Sequence, residues 1–339
     1  MVQTMKSKIA IYGAGIAGRI DADRQATHSW TSPLLWVLAA ASVMSHMAII
    51  LLHLPQALGG AMLASFLTLF GLLHGASTYG WRGILFFLVV CLGVSNAFEN
   101  LSIMAGFPFG WYHYSDAMGP KLFLVPLQIG PAYFGVGYLS WTLARAILGD
   151  EDTRLAGLLS FATPVMASFI MVSWDFTIDP TMSTITGNWV WHNGGSYFGV
   201  PLSNFLGWYL TVYVFFQCFA LYARRQFAKY TKAPRYWAMP LFAYTSIIIA
   251  PILSLLVGTE PTNIVTDPVG HLWQAQDIRS VAALLSLFTA LPFWLLAVFK
   301  SAGHAAVENI KTAPGTDKIP SGAAHPKSVT PSSLHRSTR

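Results

Sequence analysis

The sequence predicts an all-α protein, a polytopic transmembrane bundle of about eight helices, and three observations carry that prediction. Of 339 residues, 54% are hydrophobic and only 10% are charged, and the mean hydropathy is +0.51, which a soluble globular chain does not show. Uncharged apolar runs of the roughly 20 residues needed to cross a bilayer recur along the chain. Basic residues gather in alternate connections, as they do when spans alternate in direction.

Residues 1–30 come first and are polar. Ile9 to Gly18 fits a dinucleotide-binding glycine pattern, but that pattern needs a following helix, a second strand and an acid roughly 20 residues on within one compact unit. Here Asp21 and Asp23 follow at once and a span opens near Pro33. The stretch therefore reads as a flexible arm, and its short, glycine-rich apolar core does not make a signal peptide. The helical bundle is placed at residues 31–300, with spans from Pro33 to His53, Leu58 to Thr78, Gly83 to Ile103, Leu122 to Leu148, Ala156 to Phe176, Pro201 to Tyr222, Met239 to Gly258 and Ser280 to Phe299. Beyond it, residues 301–339 turn to Lys, Pro, Ser, Thr and His without apolar periodicity and read as a disordered tail.

Arg224, Arg225, Lys229, Lys232 and Arg235 fill one connection, and with eight alternating spans Arg82, Arg145, Arg154 and Lys300 fall on the same side; Lys121 and Arg279 fall opposite. The basic side is expected to be cytoplasmic, with both termini there, in a cell (inner) membrane. The connections 104–121, 177–200 and 259–279, rich in acids and aromatics, then emerge together on the other side, where one site can draw on all three. The net charge of +6 is thus an orientation signal, and nucleic-acid binding is not expected. Cys91 and Cys218 sit in mid-span, where a free thiol behaves as a small hydrophobe.

Two constellations in those connections carry chemistry. Glu99 lies near the end of its span with Asn96 on the same helix face, followed by a Gly- and Pro-turned loop bearing Phe107, Phe109, Trp111, Tyr112 and Tyr114. An acid in an apolar span is costly and marks a site, and the rings can wall a slot for a long apolar ligand, though an interfacial aromatic belt reads equally well. In the second, Asp175 and Asp179 are four apart and share a face if the helix continues; Trp189, Trp191, Tyr197 and Asn204 follow. Two carboxyls that close cannot both ionise cheaply, so one can keep a proton near neutrality and act as an acid; the bland alternative is that Asp179 only turns the chain before Pro180. A short internal echo links the two: Glu99 leads to Leu-Phe-Leu-Val-Pro126-Leu, and Asp175 leads to Tyr-Phe-Gly-Val-Pro201-Leu. The third connection, Glu260 to Trp273, repeats Asp-Pro and Trp more loosely, as a lid or a plain turn.

There is no Asp-rich diphosphate motif, Gly-x-Ser-x-Gly elbow, P-loop or membrane di-iron histidine cluster; His46, His53 and His74 stand alone and read as packed. No metal and no cofactor is expected. What remains is proton chemistry by carboxyls in an apolar, ring-lined cavity.

The segments from Phe98-Glu99-Asn100 to Pro126 and from Asp175 to Trp208, with GFPFGWYHYSDAMGPKL, GNWVW and YFGVPLSNFLGW, resemble the carotenoid biosynthesis protein family over roughly residues 95–275. The resemblance is to hydratases acting on gamma-carotene, lycopene or bisanhydrobacterioruberin-type ends. It implies addition of water to the terminal double bond of an acyclic carotenoid or other long isoprenoid, in the lipid bilayer and alongside neighbouring carotenoid enzymes. Glu99 and Asp175 are the expected acid and water-positioning pair, in open order, with Asp179 next and Asn96 and Asn204 in support. Two other readings stay open: a terpene or carotenoid cyclase using the same protonation, and a carotenoid- or quinone-binding membrane protein without turnover.

Overall fold

The computed structural model describes residues 33–52, 56–149, 157–226, 235–257 and 264–312. The arm with its glycine motif, most of the tail, and Arg154, Lys229, Lys232 and Glu260 lie outside the described residues.

Six helical stretches are long and apolar enough to cross a membrane, which makes the chain a helical membrane protein. They are α1 (Pro33–Leu51), α2 (Gln56–Ala105), α4 (Leu159–Pro180) with a π-helical turn at Thr181–Ile185, α5 (Leu202–Gln226), α6 (Arg235–Val257), and α7 (Ala275–Leu285) continued through a π-helical turn at Ser286–Ala290 into α8 (Leu291–Thr312). Helix α2 covers two predicted spans and is broken between them at Gly80, whose φ of 66° and ψ of 168° belong to a region that only glycine visits freely. The remaining helix, α3 (Ile129–Leu148), is not among the six; it is buried without interruption from Tyr133 to Ala146. Enclosed by protein, it can carry Tyr, Ser, Trp, Thr and Arg side chains that a lipid-facing span would not.

The sequence places a span from Leu122, and the structure corrects that start. Residues 121–126 form a tight antiparallel turn, β2 (Lys121–Leu122) against β3 (Val125–Pro126). Phe123 sits at φ 57°, and the helix begins only at Ile129.

Proline inside a helix removes an N–H and leaves the carbonyl four residues earlier without its partner, which within a membrane must be answered locally. Three times a side chain from elsewhere does so. The Gln217 Nε2 donates to the Ser160 carbonyl (3.1 Å) below Pro164, the Tyr197 hydroxyl donates to the Phe176 carbonyl (2.9 Å) below Pro180, and His74 Nε2 donates to the Tyr236 carbonyl (3.1 Å) below Pro240. The last bond fixes the His74 tautomer, leaving Nδ1 to accept from the Tyr138 hydroxyl at 2.6 Å. His74 is a packed histidine, as its isolation in the sequence predicts.

The internal echo is structural. Each half runs acid-bearing helix, short strand, tight turn, proline, helix. Strand β1 (Tyr112–Tyr114) follows Glu99 and β4 (Trp189–Trp191) follows Asp175, and the two pair antiparallel with Tyr112 opposite Trp191 and Tyr114 opposite Trp189. The turns match as well: Leu122 pairs with Val125 and Tyr197 with Val200. Phe123 and Phe198, at the same place in each turn, are the two non-glycine residues with positive φ among the described residues.

Candidate active site

Glu99 is buried in the last turns of α2. Three phenols converge on its carboxylate. Tyr112 and Tyr114, alternate residues of β1 and so on one face of the strand, both donate to Oε2, Tyr114 at 2.9 Å. Tyr133, from α3, donates to Oε1 at 2.7 Å. Burial, and after it the Glu99 carboxylate, pushes the Tyr112 and Tyr114 phenols well above their ordinary range, so both stay O–H donors. The loop that carries them is pinned by Ser102, whose Oγ donates to the Gly110 carbonyl (2.8 Å) and accepts from the Phe109 and Gly110 amides. Gly207 lets α5 press on the same loop, since a Cβ there would lie 2.8 Å from the Pro108 carbonyl oxygen.

Asp175 and Asp179 share one face of α4, which runs through Pro180 without breaking. Asn204 Nδ2 donates to both, at 3.0 Å to Asp175 Oδ2 and 2.6 Å to Asp179 Oδ2. Asp179 Oδ1 accepts in addition from the Trp189 and Trp191 indoles at 2.9 and 3.2 Å. The two halves therefore repeat one device, in which alternate aromatic residues of a strand turn back onto an acid of the preceding helix. Asp179 is thus more than a turn residue before Pro180.

All three carboxyls line one cavity of ≈ 60 Å³, walled by Phe109, Tyr112, Tyr114, Tyr133 and four indoles, Trp174, Trp189, Trp191 and Trp208. Of the thirteen side chains predicted for the site, nine meet there: Glu99, Asp175, Asp179, Phe109, Tyr112, Tyr114, Trp189, Trp191 and Asn204. Four do not. Phe107 and Trp111 are exposed. Asn96 accepts from the Asn100 side chain (3.0 Å), which in turn takes the Leu124 amide (3.0 Å) and holds the β2–β3 turn. Tyr197 is spent on the Phe176 carbonyl.

Tyr133, Trp174 and Trp208 also line the cavity and are not among the thirteen side chains predicted from the sequence. The signal for two of them is the echo itself: carried the same distance past Pro126 and Pro201, it reaches Tyr133 and Trp208, which stack with ring centroids 4.4 Å apart and planes 5° apart.

The third connection forms a hairpin, β5 (Ile264–Thr266) with β6 (Leu272–Gln274). Burial works to raise the Asp267 carboxyl, but the Trp273 indole, the His271 amide and the His271 ring hold it below its usual range. The hairpin packs on the second connection, with Phe198 against Trp273 at 5.3 Å, and Asp267 is not a cavity residue.

Fold and site define a multi-pass membrane protein with three carboxyls enclosed in an aromatic chamber. A family model described as "Carotenoid biosynthesis protein" matches residues 32–269, most of the chain, and the chain belongs to that family. Comparison with curated proteins and with solved structures returns no match. Among the described residues no group of three or more His, Cys, Asp or Glu side chains could hold a metal ion.

Proposed function

We propose that the protein hydrates the terminal trisubstituted double bond of an acyclic carotenoid. The observation that carries this reading is the unequal distribution of donors among the three acids. Glu99 and Asp179 each accept three hydrogen bonds, the arrangement of ionised carboxylates, whereas Asp175 accepts only that of Asn204. Asp175 is then the acid that carries the mobile proton.

In this reading Asp175 gives its proton to the less substituted alkene carbon, and a tertiary cation forms at the other. The faces of the Trp174, Trp191 and Trp208 rings and the fixed charges of Glu99 and Asp179 favour that cation, each ring contributing about 0.5–2 kcal/mol. Water adds to it, and the proton the water loses returns to the Asp175 carboxylate. One C–H and one C–O bond form, one π bond and one O–H bond are consumed, and no electron acceptor is needed. The protein spans the membrane with both of its termini cytoplasmic, so the site opens toward the opposite face, and neighbouring carotenoid enzymes supply and remove the pigment.

Expression in a lycopene- or gamma-carotene-producing bacterium tests the reading. A pigment heavier by one water supports hydration. An isomer of unchanged mass points to cyclisation, and unaltered pigment on the purified protein to binding alone.

A further inference from the structure

A second cavity of ≈ 210 Å³ lies beside the first, between α1, the first arm of α2, α3, α4, α6 and α7. Five side chains, Ile129, Ala132, Trp174, Ile178 and Trp189, line both. The carboxyls are all on the smaller side; the larger cavity has no acid in its lining and is walled mainly by aliphatic groups, with His46, Gln128, Asn188, Ser254 and Arg279 as its main polar side chains.

The two volumes divide the work of binding a long hydrocarbon. The smaller chamber has room for a reacting end and little more. An uncharged isoprenoid chain gains about 25 cal/mol for each Å² of apolar surface it buries, and among three carboxyls it would instead strip water from charges at a cost. The larger chamber offers the apolar surface, and among the described residues five side chains form a wall common to it and to the chamber of the acids. The smallest of these is Ala132, one residue before Tyr133 on α3, so it stands next to the phenol that holds Glu99.

We propose that the larger cavity, ≈ 210 Å³ in volume, binds the part of the acyclic isoprenoid chain that directly follows the reacting alkene, and that the chain crosses to Asp175 at the wall shared by Ala132 and Ile178. The proposal rests on the protonation reading for the direction of the chain, and it adds where that part of the substrate lies. It also gives α1, α6 and α7, which lie outside the repeated halves that build the acids, a role in substrate selection.

Binding is read without turnover. Full-length Asp175→Asn protein is purified in mild detergent from membranes of a lycopene-accumulating bacterium, with and without Ala282→Phe. Ala282 is buried in α7 and lines the larger cavity alone. The Asp175→Asn protein is expected to carry lycopene, and the double variant about tenfold less, a difference of ~1.4 kcal/mol. Where Ala282→Phe does not accumulate, Ala64→Leu on another wall is read in the same way. Equal lycopene per protein with the chamber filled, or none on the Asp175→Asn protein, overturns the proposal. Lycopene held in the chamber but left unhydrated by the wild-type protein would leave the binding site standing and remove the hydration reading; hydration undiminished by the filled chamber would do the reverse.

Discussion

Tyr133 and Trp208 lie flat on each other at the meeting point of the two repeated halves, 4.4 Å apart, and Tyr133 still donates its hydroxyl to Glu99 at 2.7 Å. One ring therefore couples the aromatic wall to the acid. Tyr133→Phe keeps the stack and removes the donor. A hydrogen bond to a charged group is worth about 1.5–3 kcal/mol, so hydrated product should fall about tenfold to a hundredfold while pigment binding is retained. Trp208→Leu should lose binding as well. Pigment yield and bound pigment, measured on the same preparations, separate the two.

Asn204 tests the coupling of the aspartates. Its single amide nitrogen serves both carboxyls, so Asn204→Leu, close in size and without the donor, leaves two buried acids facing each other. A buried charge deprived of its partner costs about 1–3 kcal/mol or more. The expected result is loss of product together with a lower unfolding temperature. Asp179→Asn in the Asn204→Leu background should recover part of the stability and none of the activity.

Tyr197, predicted for substrate, should behave as a structural residue. Tyr197→Phe orphans the Phe176 carbonyl that Pro180 leaves free, and thermal unfolding in detergent should show a loss of about 1–3 kcal/mol. Pro180→Ala restores an N–H to that carbonyl, so in its background the effect of Tyr197→Phe should shrink. An undiminished effect would mean that Tyr197 acts elsewhere.

On the outer side of the paired strands, His113 Nδ1 lies 2.7 Å from His192 Nε2. Burial first, then His192 and Lys121, lower the His113 pKa from 6.5. The stability due to neutral His113 is therefore present above about pH 6.5 and is lost as the pH falls below that value. The unfolding temperature should drop on acidification from about pH 7.5 to about pH 5.5, and His113→Gln should flatten the dependence.

Much of this was legible in the sequence, because the dominant constraint in lipid is hydrophobic length. The Gly80 break falls between two predicted spans, and the Asp175–Asp179 face follows from helical periodicity alone. The late start of α3 was not legible: a Val-Pro-Leu run is apolar enough to look like the opening of a span, and only the pairing of Leu122 with Val125 shows that it turns instead. Composition also misled at Trp111 and Phe107. Alternation in β1 sends Tyr112 and Tyr114 inward, and Trp111, just before the strand, is left exposed together with Phe107, which no count of aromatics reveals. Tyr133 was hidden inside a helix that carries no acid, although the repeat pointed to it.

The proton path through Asp175 is tested most directly by converting lycopene in membranes suspended in heavy-oxygen water, with wild-type protein and with Asp175→Asn. The product of the wild-type protein should carry one heavy oxygen at each hydrated end, and Asp175→Asn should lose about 10²-fold or more of that product while still accumulating in the membrane. A product without the label, or full labelling by Asp175→Asn, would contradict a mechanism in which that carboxyl supplies the proton and water supplies the hydroxyl.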